Sequence, residues 1–169
     1  MPTDRRPLKF DPIAEAGRQW AARWPLATEA EAAISIFRAY RIVLDTVEAV
    51  LEPFELTFAR YETLLLLHFT PTGAMALGKV GQRLQVHPTS ITNSVDRLVT
   101  QGFVERVHDE RDRRAILARL TPSGRETVER ATAALATSAF GLPGLDGEDL
   151  RSLTAVLRKL RLAAGDFDE

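Results

Sequence analysis

Apolar residues recur along this chain at helical spacing, and short polar breaks rich in proline and glycine separate the periodic stretches. Residues 13–24 predict a short helix. Thr28, with Glu31 three residues later, is a candidate N-cap and capping box for a long helix over 28–52. Residues 58–69 are apolar on most sides, which predicts a central, largely buried helix.

The middle of the chain changes from helical to alternating periodicity. Residues 75–86 predict a short helix, and after a tight break Pro88 suits the first position of a second one. Residues 103–107 and 115–120 alternate as strands, and the charged loop 108–114 joins them as a hairpin. The second helix is expected to bury one face, which carries Ile91, Val95, Leu98 and Val99.

Two further helices follow the hairpin, over 121–140 and 148–164, with a glycine- and proline-containing break between them. The predicted fold class is therefore mainly α with a small β hairpin. The last helix is expected to point its apolar residues inward, namely Leu150, Leu153, Val156, Leu157 and Leu160. Residues that punctuate these elements by capping or ending helices are Thr57, Pro88, Gly102 and Thr121.

Composition is that of an ordinary globular chain, with 169 residues, 45% of them hydrophobic and 27% charged. There is no cysteine, which excludes disulfides and thiol-ligated zinc. The chain shows neither a signal-peptide pattern nor an apolar run of membrane-spanning length, so we expect a cytoplasmic protein without a membrane partner. The three histidines are scattered and no nucleophile–base set is evident, so we expect no enzyme activity, no metal and no cofactor.

A helix, a tight turn, a second helix and a two-stranded hairpin together predict a winged helix-turn-helix. Short polar side chains near the start of the second helix can reach base edges in the major groove of DNA. The same residue types also favour any helix start, so a plain solvated face remains an alternative. The candidate DNA-reading residues on this helix are Thr89, Ser90, Thr92, Asn93 and Arg97.

The hairpin loop strengthens the DNA interpretation. Its arginines Arg111, Arg113 and Arg114 could enter the minor groove, where negative potential is concentrated, although a self-neutralising surface loop is the alternative. The net charge of the chain is -1. Residues 76–119 nevertheless hold eight Lys and Arg against five Asp and Glu, whereas residues 1–75 hold eight against ten and residues 120–169 hold six against eight. The basic excess is confined to the segment whose shape suits DNA.

The stretch "LVTQGFVERVHDERDRRAILARLTPSGR" resembles the signature of MarR-type transcriptional regulators. The resemblance implies a winged helix-turn-helix over 55–121, with N- and C-terminal dimerisation helices over 28–54 and 122–169. It also implies a homodimer that binds double-stranded DNA at a palindromic operator, most often as a repressor that a small molecule releases. The alternative is a winged-helix module that binds a protein partner and not DNA.

The extension 1–27 carries two tryptophans and resembles a subset of the family that responds to urate or other small organic anions. That resemblance implies a pocket for a small organic anion or aromatic ligand. Ser94 stands where the subset has a second arginine, which puts urate itself in doubt. The alternative is that the tryptophans only pack the extra helix onto the body. The candidate ligand residues are Trp20, Trp24, Glu62, Arg106 and Ser94.

Overall fold

A computed structural model of the chain describes residues 7–109 and 115–168. Within these ranges it forms seven α-helices and three β-strands. In chain order they are α1 (Pro12–Ala21), α2 (Ala27–Leu51), α3 (Phe58–His68), β1 (Ala74–Ala76), α4 (Leu77–Leu84), α5 (Pro88–Thr100), β2 (Val104–His108), β3 (Ile116–Leu120), α6 (Pro122–Thr137) and α7 (Gly147–Ala163). Among the described residues no helix is long and apolar enough to cross a membrane.

The hydrophobic core is built around α3, as its apolar pattern predicts. Tyr61, Leu64 and Leu67 of α3 are fully buried, and the hydroxyl of Tyr61 lies 3.0 Å from the Thr132 Oγ1 of α6. The other helices and strands that surround α3 contribute buried residues such as Leu51, Val80, Val95, Leu98, Val104, Ala118, Val128 and Leu135. The core therefore lies beneath the α4–α5 pair and holds the candidate DNA-reading helix on a rigid support.

The predicted hairpin is one part of a three-stranded antiparallel sheet in the order β1-β3-β2. Ala118 of β3 pairs with Met75 of β1 on one side and with Arg106 of β2 on the other. The prediction of one helix over 75–86 was wrong at its start, because Ala74–Ala76 is a strand. These three residues occupy an edge of β3 whose backbone groups would otherwise lack partners.

The predicted capping box at Thr28 is also wrong. Helix α2 begins at Ala27, and its N-cap is Leu26, which makes no side-chain cap hydrogen bond and has a left-handed φ of 61°. The chain reverses sharply between α1 and α2, and Leu26 supplies that reversal, so Thr28 already lies inside the first helical turn. Four other predicted punctuation residues are confirmed: Thr57 and Thr121 accept capping hydrogen bonds, Pro88 begins α5, and Gly102 has a φ of 74°.

Two apolar helix faces lie exposed at the surface of the single chain. Every residue from 31 to 40 in α2 is exposed, including Phe37 at 68%. Helix α7 contains no buried residue. The prediction that its apolar residues point inward was therefore wrong for one copy of the chain, since Leu150, Leu153, Val156 and Leu160 are all exposed and only Leu157 is partly covered.

Candidate nucleic-acid interface

Helix α5 begins at a well-defined cap. The ring Nδ1 of His87 accepts a hydrogen bond from the backbone N–H of Thr89 at 3.3 Å, and Pro88 occupies the first helical position. Ile91, Val95 and Leu98 are buried as predicted. Val99 is 36% exposed, which corrects its placement on the buried face; helical geometry puts it about 80° around the axis from Ile91.

The turn between α4 and α5 is tight because of two residues. Gln85 adopts a left-handed φ of 53°, and the backbone N–H of Val86 donates to the carbonyl of Gly81 at 3.1 Å. A Cβ on Gly81 would lie 3.4 Å from the Val86 carbonyl oxygen and 3.5 Å from Ile91. Gly81 thus packs closely against both the turn and the first turn of α5.

The opposite face of α5 is polar and open. All five candidate helix residues are exposed, and Thr92 anchors its hydroxyl by donating to the Pro88 carbonyl at 3.1 Å. Side chains of this kind can offer donors and acceptors to base edges. The exposed set consists of Thr89, Ser90, Thr92, Asn93, Asp96, Arg97 and Thr100.

The wing, which consists of β2, β3 and the loop that joins them, begins beside this face. Strands β2 and β3 run antiparallel, and the backbone N–H of Asp109 donates to the Ala115 carbonyl at 3.0 Å at the base of the loop. The predicted wing arginines Arg111, Arg113 and Arg114 lie outside the described residues.

An ion pair that sequence reasoning missed joins the wing strand to α5. The Nη2 of Arg106 lies 2.7 Å from the Oδ1 of Asp96, and both side chains are partly exposed. Asp96 is the only acidic residue in α5. A single acid on the polar face of a candidate DNA-reading helix was the feature of the sequence that could have indicated this ion pair. Its partner lies in another element, so no local pattern identifies it.

A large cleft of about 1280 Å³ separates α2 from the C-terminal end of α5. Gln101 spans its edge: its amide donates to the Glu55 carbonyl at 2.8 Å and its Oε1 accepts from Arg60 at 3.2 Å. Arg97 also lines the cleft. A molecule bound there would touch both α2 and the C-terminal end of α5.

The candidate ligand residues do not come together through the described contacts of one chain. The indole N–H of Trp20 donates to the Pro25 carbonyl at 2.8 Å, and its ring packs edge-on against Trp24, both beside α2. Glu62 in α3 is partly buried, and this burial raises the pKa of its carboxyl group. Ser94 lies 3.4 Å from the hydroxyl of Thr63 next to it, while Arg106 pairs with Asp96. Their common ligand site stays a prediction.

Comparison with known proteins agrees with this architecture. The MarR family profile matches residues 54–115. An HTH-type transcriptional regulator of Bacillus subtilis, YhbI, whose function is uncharacterised, is 31% identical over 148 residues, which is 82% of this chain and 95% of that protein. The solved structure of Sco5413, a MarR family transcriptional regulator from Streptomyces coelicolor, is 48% identical, covers 84% of this chain and 99% of its own, and superposes with a TM-score of 0.77.

A third similar structure is that of BpsR from Bordetella bronchiseptica, whose DNA binding is regulated by 6-hydroxynicotinic acid. It is 24% identical, covers 76% of this chain and 91% of its own, and has a TM-score of 0.69. At this identity the likeness concerns the fold alone. The 31% relative, matched over nearly its whole length, and the 48% structure agree with the winged helix-turn-helix geometry. The chain therefore belongs to the MarR family, and it is a DNA-binding transcriptional regulator.

Proposed function

We propose that this protein is a homodimeric repressor that reads a palindromic operator and leaves it when a small molecule binds. The observation that carries the DNA-reading part is the two-sided character of α5. Ile91, Val95 and Leu98 hold one side in the core, and the other side exposes hydroxyl and amide groups from the first helical turn onward. Because these buried residues fix the orientation of α5, its polar groups can contact DNA without a change in the fold.

The dimensions of α5 suit the major groove. Its 13 residues span about 20 Å at the helical rise, and the groove is about 12 Å wide. Asn93 is the candidate for paired hydrogen bonds to adenine, and Thr89, Ser90 and Thr92 supply shorter contacts near the helix start. Arg97 lies further along the same exposed surface and is proposed to bind a phosphate. The wing arginines Arg111, Arg113 and Arg114 are proposed to reach the neighbouring minor groove.

The exposed faces of α2 and α7 support a homodimer. Large apolar side chains such as Phe37, Tyr40, Val156 and Leu160 lie open in the single chain, and contiguous exposure of this kind is typical of an association surface. A second copy of the same chain supplies matching faces on both helices. Two-fold symmetry would then place two copies of α5 against two half-sites of a palindrome.

The cleft between α2 and α5 supports the ligand-release part of the proposal. Gln101, the C-cap of α5, lines the cleft together with its hydrogen-bond partners Glu55 and Arg60, so an occupant would press on the end of α5. The regulation of BpsR by 6-hydroxynicotinic acid is an example of such control in a protein of the same fold. A ligand that binds the free form better than the DNA-bound form shifts the population off the operator.

The test is binding of the duplex upstream of the protein's own gene, followed by fluorescence anisotropy over a salt series. We expect saturable binding that weakens steeply with salt, because phosphate contacts release counterions. Asn93→Ala and Arg113→Ala should each weaken binding by about five- to a hundredfold. Gln19→Ala on α1 and Arg130→Ala on α6, both exposed and outside α5 and the wing, are the matched controls.

Two outcomes would contradict the proposal. One is binding that does not distinguish the upstream duplex from a scrambled one. The other is equal loss in the Asn93 and Gln19 variants. In either case the protein-partner alternative gains support, and the same surface would be tested by pull-down with the same pair of variants.

A further inference from the structure

Arg106 is placed to act on the DNA-reading helix from the neighbouring strand. Its cross-strand partner Ala118 is fully buried, and Val104, two residues earlier in β2, is almost fully buried. Residues paired across strands, and those two apart along a strand, project from the same face of a sheet. The Arg106 side chain therefore rises from the face that packs against the helices, and it meets Asp96 of α5 there at 2.7 Å.

The opposite face of the same strands carries a separate pair. Glu105 and Arg119 are cross-strand neighbours with a 3.7 Å ion-pair distance, and both are about half exposed. This pair connects β2 to β3 only and touches neither α5 nor its polar face. It offers an internal comparison for Arg106, because charge, sheet and exposure are similar and only the link to α5 differs.

The position of Asp96 makes its charge costly for DNA binding. Asp96 lies one turn from Asn93 and beside Arg97 on the exposed face of α5, and it is the only acid in that helix. A bare carboxylate brought against a phosphate backbone is repelled, more strongly as the intervening water is displaced. The Arg106 guanidinium neutralises this carboxylate in the geometry already present in the free protein.

We propose that Arg106 is a positioning residue for DNA recognition, acting through Asp96 and not by touching DNA. The ion pair cancels the acid on the reading face and fixes α5 relative to the wing strand, so that helix and wing meet adjacent grooves together. The proposal rests on the DNA-binding face described under Proposed function. It also gives Arg106 a task other than anion binding in a ligand pocket, because its guanidinium is committed to Asp96.

A double-mutant cycle on the upstream duplex tests this role. Arg106→Ala should weaken binding about tenfold or more, because it leaves the Asp96 carboxylate uncompensated near phosphates. Asp96→Asn alone should leave binding within about threefold of the wild type, and Asp96→Asn combined with Arg106→Ala should recover most of the loss. Arg106→Lys, which keeps the charge, should retain most of the affinity, and Arg119→Ala is the matched control.

The salt dependence provides a second readout, which separates action through Asp96 from direct contact of Arg106 with a phosphate. Removing a phosphate contact lowers the slope of log K against log salt by about 0.9, so the double variant should keep the wild-type slope if Arg106 touches no phosphate. Thermal unfolding of each variant is measured alongside. Arg106→Gln, which keeps the apolar stem, replaces Arg106→Ala if that variant does not fold.

The possible results distinguish failure of the role proposed for Arg106 from failure of the proposed DNA-binding function. If the wild type binds but Arg106→Ala costs as much in the Asp96→Asn background as it does alone, the side chain acts directly and the inference is overturned. A reduced salt slope in the double variant would overturn it equally. If the wild type shows no preference for the duplex, the proposed function itself fails, and the inference fails with it.

Discussion

Gly124 sits where the start of α6 packs against the backbone of Phe103, two residues after the C-cap Gln101 of α5. A Cβ at this position would overlap the carbonyl oxygen of Phe103 and lie 2.9 Å from its carbonyl carbon and 3.0 Å from the Leu120 Cδ1. Two hydrogen bonds cross the same contact: the Thr121 N–H donates to the Phe103 carbonyl at 3.1 Å, and the Thr121 hydroxyl donates to the Gly102 carbonyl at 2.7 Å. Gly124→Ala must therefore move backbone.

The expected cost follows from these contacts. Alanine gains up to about 1 kcal/mol over glycine in helix propensity, which alone would stabilise the protein. The added methyl group overpacks against the Phe103 carbonyl, which belongs to the backbone and cannot rotate away as a side chain could. This overpacking costs about 2 kcal/mol. Weakening two hydrogen bonds costs about 1 kcal/mol each. The net loss is about 3 kcal/mol, which for a chain of this size lowers the melting temperature by about 6–12 °C.

Urea and thermal unfolding followed by circular dichroism measure this loss. Gly78→Ala is the matched control, because Gly78 is also helical and a Cβ there would meet no atom within 4 Å. That variant should be stabilised by up to about 1 kcal/mol. The two glycines are thus expected to respond with opposite signs. Equal or greater stability of Gly124→Ala would refute the close contact between α6 and Phe103.

Two further predictions concern the partly buried acid Glu62 and the exposed helix faces. Burial raises the pKa of Glu62 above its ordinary value of 4.5, so the stability linked to this group is full below that value and is lost as pH rises through the folded-state pKa. Glu62→Gln should match the wild type in free energy of unfolding near pH 4 and exceed it near pH 7, and parallel pH curves would argue against the burial. Phe37→Asp places a charge on the exposed apolar face of α2 and should convert dimer to monomer in light scattering, whereas Gln82→Asp on α4 should not. An unchanged mass for Phe37→Asp would remove this face from the dimer interface.

The elements that local chemistry defines were predictable. Thr57 and Thr121 each accept a backbone hydrogen bond at a helix start, and Gly102, just after the end of α5, has the left-handed backbone expected of a glycine there. The residues that build α5 and its two faces are contiguous in sequence. Their roles could therefore be inferred from spacing and residue type, with Val99 as the exception at the edge of the face.

The features that escaped prediction depend on distant partners. Strand β1 is only three residues long, and its pairing partner β3 lies more than 40 positions away. The Arg106–Asp96 pair requires β2 to pass beside α5, and the inward face expected for α7 requires a neighbour that one chain does not supply. Leu26 starts α2 because the chain reverses after α1, which no capping pattern encodes.

Because every residue from 31 to 40 of α2 is exposed in the single chain, the stability of this segment should depend on the concentration of the protein. Within the described residues of one chain this segment packs only against the short helix α1, whose buried Gly17 lies against Glu31, and a helix segment with so little packing is only marginally stable in water. Dilution should therefore unwind the amino-terminal arm first while the core around α3 stays folded, and melting should follow two stages whose first midpoint rises with protein concentration. In a cell that holds few copies of the protein, the amino-terminal half of α2 would be the first part to unfold. The pairing of the two DNA-binding domains would then be lost.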